Sequence, residues 1–84
     1  MDISAISQRI TFKTALDRRA FERTVTIYGV DNALRVYRNN LSDLSDMLEV
    51  AMKTSKKHCG FTVDELLNRV DAFGQIVEAL EGAR

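Results

Sequence analysis

Hydrophobic residues recur every three or four positions along the last third of the chain, which is the spacing of one helical face. This stripe consists of Val63, Leu66, Val70, Phe73, Val77 and Leu80. A capping box precedes it, because Thr62 can accept a hydrogen bond from the Glu65 backbone while the Glu65 side chain returns to Thr62. Gly82 is placed to end the helix. The pattern therefore predicts a helix from Thr62 to about Glu81.

A second stripe with the same spacing occupies the middle of the chain: Leu34, Tyr37, Leu41, Leu44, Leu48, Ala51 and Met52. Asp31 is a candidate N-cap. Positive charge at Lys56, Lys57 and His58 suits the end of a helix, and Gly60 follows as a stop. The stripe continues through residues 39–40, which favours one helix over two. Because the connection 58–61 is short, we expect residues 31–82 to form a long antiparallel helical hairpin.

Residues 1–28 are compatible with two structures. Asp17–Arg23 contains strong helix formers, Thr14 and Asp17 resemble a capping pair, and Gly29 is a natural stop. Alternatively, residues 9–28 form a β-hairpin packed on two helices, since Thr24–Tyr28 is rich in strand formers. The turn of that β-hairpin would lack glycine and asparagine. We therefore predict an all-α fold of three helices in a single domain, residues 1–84, with the α+β fold as the alternative.

The last helix has an unusually wide apolar face. Leu67 and Ile76 flank its main stripe on opposite sides, which widens the apolar face to about 180°. One partner helix covers less than this. A third element must therefore pack on the helix: the N-terminal segment, a second subunit, or both.

The charges are balanced overall but unevenly distributed. The 84 residues carry 12 Lys and Arg against 12 Asp and Glu, so the net charge is zero. Residues 1–40 hold seven basic and four acidic residues, a balance of +3, and residues 41–84 hold five and eight, a balance of −3. Zero net charge argues against a strong general affinity for nucleic acid. The absence of a signal peptide or an apolar membrane span, together with a single cysteine, favours the cytoplasm and argues against a membrane partner.

Residues with catalytic or metal-binding chemistry are sparse. His58 and Cys59 are adjacent, but a zinc site needs four ligands and a nucleophilic cysteine needs an orienting base. We interpret both as residues of the turn after the middle helix. The sequence predicts no catalytic residue, no cofactor and no metal, and we expect neither an enzyme nor a small-molecule substrate.

Five arginines surround Gly29: Arg18, Arg19, Arg23, Arg35 and Arg38. Arginine makes bidentate contacts with carboxylates and phosphates, so this cluster is the candidate partner-binding site. We favour a non-enzymatic protein-interaction module that presents a helical surface to another protein or to itself as a homodimer. Small adaptors, assembly factors, chaperones and phage- or plasmid-type inhibitors all fit this description.

The alternative function is a small DNA-binding regulator. Residues 21–40 have the outline of a helix-turn-helix, with Gly29, Val30 and Asp31 as the turn and Asn32, Arg35, Arg38 and Asn39 on the second helix. In that hypothesis residues 21–40 contact DNA and residues 41–82 dimerise.

Overall fold

A computed structural model describes residues 3–54 and 60–83 of the chain. Its regular elements are three α-helices, α1 (Ile3–Ser7), α2 (Ala15–Thr54) and α3 (Val63–Gly82). The second half of α2 and α3 pack together as an antiparallel hairpin, and the molecule measures 43 × 23 × 19 Å. The prediction of an all-α fold built on a long helical hairpin is confirmed, and residues 9–28 do not form a β-hairpin.

Helix α2 is sharply interrupted at Gly29. The backbone there has φ 80° and ψ 164°, a conformation that is essentially confined to glycine. We call residues 15–28 the N-arm of α2 and residues 30–54 its C-arm. The rings of Phe21 and Tyr37, on opposite sides of the glycine, lie 6.0 Å apart. The N-arm therefore folds back against the C-arm, which places the N-terminal segment across one end of the hairpin.

The capping hydrogen bonds predicted at two helix N-termini are formed. The Glu65 amide donates to the Thr62 hydroxyl at 3.2 Å, and the Thr62 amide donates to the Glu65 carboxylate at 3.4 Å. The Asp17 amide donates to the Thr14 hydroxyl at 3.1 Å, which caps the N-arm. These caps form as predicted because each depends on residues only three positions apart.

One predicted helix boundary is wrong, and another is right to within one residue. Gly29 is the sole residue inside α2 with non-helical backbone angles, so Asp31 already lies in the first turn of the C-arm and does not cap it. Its carboxylate still suits that position, because the helix dipole favours negative charge there. Gly82 is the last residue of α3, and Ala83 is the C-cap. The predictions for Lys56, Lys57, His58 and Cys59 lie outside the described residues.

The hydrophobic core is concentrated at one end of the hairpin, which we call the base. It is assembled from α1 and the segment after it, both arms of α2 and the second half of α3: Ile6, Ile10, Phe21, Val25, Ala33, Leu34, Tyr37, Ile76, Val77, Ala79 and Leu80. Toward the other end, the tip, only Ala51 and Leu66 are fully buried among residues 41–54 and 60–70. Among the described residues, the tip is therefore formed mainly by α2 and α3, since α1 and the N-arm contribute their buried residues at the base.

Candidate protein-interaction surface

The two flanks of the wide apolar face on α3 differ in burial. Ile76 is 4% exposed and belongs to the core formed with α1 and the N-arm. Leu67, on the opposite flank, is 46% exposed. The N-terminal segment thus supplies the expected third element on one side, whereas nothing in residues 3–54 and 60–83 covers the other side.

The uncovered side of the hairpin carries two rows of residues at helical spacing, which we together call the open flank. The row on the C-arm consists of Asp31, Arg35, Arg38, Ser42, Ser45, Glu49 and Met52. The row on α3 consists of Asp64, Leu67, Asp71, Gly74, Glu78 and Glu81. All these residues are exposed except Gly74, which is half-buried.

An ion pair connects the two rows. Arg38 Nη2 lies 2.9 Å from Glu81 Oε1, which shows that both rows face the same side of the hairpin. A methyl group built on Gly74 would meet no atom within 4 Å, so this part of the surface is open. Met52 was predicted to belong to the buried stripe of the middle helix, but it is 60% exposed. Met52 is about five full turns from the buried Leu34 and so lies on the same side of the helix, which means that its exposure comes from its place at the tip.

A recess of about 360 Å³ interrupts the open flank near the base. Leu34 is 2% exposed and forms its apolar floor. The walls are polar, and they are formed by Asp31, Arg35, Arg38 and Asn39. The recess therefore combines an apolar floor with two guanidinium groups in its walls.

The five candidate arginines do not act alike. Arg18 turns inward, where its Nη1 donates to the carbonyl oxygen of Ser7 at 2.7 Å and to the Ser7 hydroxyl at 2.8 Å. Its guanidinium also lies 4.9 Å from the centre of the Phe12 ring. These contacts tie the N-terminal segment to the N-arm, so we leave Arg18 out of the proposed surface.

The other four arginines are exposed and are divided between the two arms of α2. Arg19 and Arg23 are on the N-arm, whereas Arg35 and Arg38 line the recess. The recess and the uncovered Leu67 therefore make the open flank the best-defined candidate surface.

A larger groove of about 520 Å³ lies between residues 10–13, the N-arm and α3. Four aromatic rings follow one another here, with centroid distances of 5.5, 6.0 and 5.6 Å, in the order Phe12, Phe21, Tyr37 and Phe73. Burial raises the pKa of Tyr37 above its ordinary value, and a hydrogen bond with Thr24 partly offsets this. The rim contains two basic residues, Lys13 and Arg69, and two acidic residues, Asp17 and Glu65. It therefore favours neither a positively nor a negatively charged ligand.

Residues 3–54 and 60–83 contain no cluster of three or more histidine, cysteine, aspartate or glutamate side chains suited to a metal ion. None of the helices in this part of the chain combines the length and apolar character needed to cross a bilayer. His58 and Cys59 lie outside it. The chain matches no protein-family model, and comparison with curated proteins and with solved structures gives no significant match.

Proposed function

We propose that this protein is a non-enzymatic interaction module that binds another protein, or a second copy of itself, through the open flank. The observation that carries the proposal is the unequal cover of α3: Ile76 is buried on one flank, whereas Leu67 is 46% exposed on the other. Covering the exposed parts of Leu67 and Met52 would contribute about 1 kcal/mol each. Arg35 and Arg38, near the base on the same flank, would pair with carboxylates of the partner.

A small chain that exposes apolar residues on the surface of its helical hairpin fits an adaptor, an assembly factor, a chaperone or a phage- or plasmid-type inhibitor. We expect it to work in the cytoplasm, because a chain with one cysteine gains nothing from an oxidising compartment.

The DNA-binding alternative stays a prediction, and the geometry adds no support to it. A helix-turn-helix joins its helices through a turn of three or four residues, whereas Gly29 alone separates the two arms of α2. The Asn32 amide, which the hypothesis places on the DNA-reading helix, donates to the Tyr28 carbonyl at 3.0 Å. Duplex DNA binding that weakens steeply with salt would favour this alternative.

Site-specific photo-crosslinking in the native host tests the proposed surface. A photoreactive amino acid replaces Leu67 in one variant and Leu16 in the control. Leu16 is 74% exposed and lies on the N-arm, away from the open flank. We expect a discrete protein adduct from position 67 and none from position 16. Equal labelling from both positions, or no adduct from either, would contradict the proposal.

A further inference from the structure

The part of the C-arm row from Arg35 to Met52 is self-complementary. Arg35, Arg38, Ser42, Ser45, Glu49 and Met52 are separated by three, four, three, four and three positions, so the spacing is the same from either end. Two arginines occupy one end, two serines the centre, and a glutamate and a methionine the other end. The same segment from another molecule, running in the opposite direction, therefore sets the arginine end against the glutamate and methionine end, and the serines against each other.

We propose that the partner is a second copy of this chain, bound antiparallel along this row with a two-fold axis between Ser42 and Ser45. This inference rests on the proposed function and names its partner. In this register Arg38 faces Glu49 of the partner subunit, and Arg35 faces Met52 of the partner subunit. Each contact occurs twice, as an isologous interface requires. The small serines at the centre allow the two helices to approach closely.

The recess supplies a second observation that does not depend on charge. Arg35 lines the recess, so the antiparallel register brings Met52 of the partner subunit directly to its mouth. Methionine is unbranched and flexible, which suits a side chain that enters an irregular cavity. Entry would place the thioether of this residue, which is 60% exposed in the single chain, against the Leu34 floor. The proposed two-fold axis therefore brings the exposed apolar side chain of the row in one subunit to the recess of the other subunit.

The existing ion pairs do not prevent this arrangement. Arg38 pairs with Glu81 at 2.9 Å and Glu49 pairs with Lys53 at 3.1 Å, and all four side chains remain about half exposed or more. Such surface pairs exchange partners readily because they are weak. Parallel pairing of the row would instead place Arg38 opposite its own counterpart, and like charges disfavour it. The interface is narrow and polar at its rim, so we expect a salt-sensitive dimer that dissociates on dilution.

Charge-swap variants test both the partner and its direction, with dimerisation of the purified chain followed by sedimentation from micromolar to millimolar concentration. Arg38→Glu and Glu49→Arg should each weaken dimerisation by about tenfold or more, because each creates two like-charge contacts. The double variant, Arg38→Glu with Glu49→Arg, should dimerise again. A parallel dimer would not be rescued, since it would face each substituted residue with itself.

Arg23→Glu is the matched control, since it makes the same charge change at an exposed N-arm position. It should leave dimerisation unchanged, and a far-UV circular dichroism melt of every variant checks that the fold is retained. A wild-type chain that stays monomeric throughout, or a double variant no better than the singles, would overturn the proposal. If a monomeric chain still crosslinks through position 67 to a different protein, the second copy is excluded and the proposed function stands. If it crosslinks to nothing, both fail.

Discussion

The same substitution at two glycines should change the stability of this protein in opposite directions. Gly29 and Gly74 both have open space where a side chain would begin, because an added methyl group meets no atom within 4 Å at either position. They differ in the backbone. Gly74 lies inside helix α3, whereas Gly29 has φ 80° and ψ 164°. Alanine therefore clashes with no neighbour at either position, and the backbone conformation alone decides whether the substitution stabilises or destabilises the fold.

The expected magnitudes follow from that difference. Alanine in a helix interior is about 1 kcal/mol more favourable than glycine, so Gly74→Ala should stabilise the fold by that amount. The angles of Gly29 lie in a region that L-residues rarely adopt, at a cost of about 1–3 kcal/mol, so Gly29→Ala should destabilise. The two variants should differ by about 2–4 kcal/mol. For a domain of this size, 1 kcal/mol shifts the melting temperature by about 4–8 °C.

Urea unfolding followed by far-UV circular dichroism measures both effects, at micromolar concentration so that self-association contributes little. A neutral or stabilising Gly29→Ala would refute the account of Gly29, since it would mean that the two arms of α2 can join as one continuous helix. A destabilising Gly74→Ala would mean instead that a neighbour packs closely on the open flank under the conditions of the assay.

Three further predictions concern single side chains. Arg18→Ala should lower the free energy of unfolding by about 1–3 kcal/mol, because it leaves the buried Ser7 hydroxyl without its donor. The control Arg19→Ala should change it by no more than about 0.5 kcal/mol, and equal losses for the two variants in urea unfolding would refute the internal role of Arg18. Thr62→Ala should cost about 0.5–2 kcal/mol by removing the cap of α3, and an unchanged melting temperature would contradict this. The raised pKa of Tyr37 means that the folded state holds the phenol proton more tightly than the unfolded state does. The contribution of this proton to the stability of the fold is therefore complete below about pH 10 and is lost as the pH rises through the folded pKa. Tyr37→Phe should therefore show a smaller alkaline loss of stability than the wild type in melts on either side of pH 10, and identical pH dependence would sink this assignment.

Much of the fold is determined locally by the sequence. The capping box at Thr62 and the capping pair at Thr14 form as predicted, because each involves groups within one helical turn. Gly29 and Gly60, whose positions between periodic segments marked them as breakpoints, both have positive φ. The 3–4 spacing of apolar residues predicted the hairpin, since a helix that is apolar on one face must bury that face.

The candidate surface required the tertiary structure. Periodicity identified two apolar flanks on α3, but it could not say that the N-terminal segment covers Ile76 and leaves Leu67 exposed, because that depends on the direction in which the chain turns at Gly29. The arginines show the same limit. Arg18 and Arg38 looked equivalent along the chain, yet Arg18 bonds to Ser7 and Arg38 lines an open recess. A long, flexible side chain takes its partner from whatever the packing brings within reach, so its role is decided only when distant segments meet.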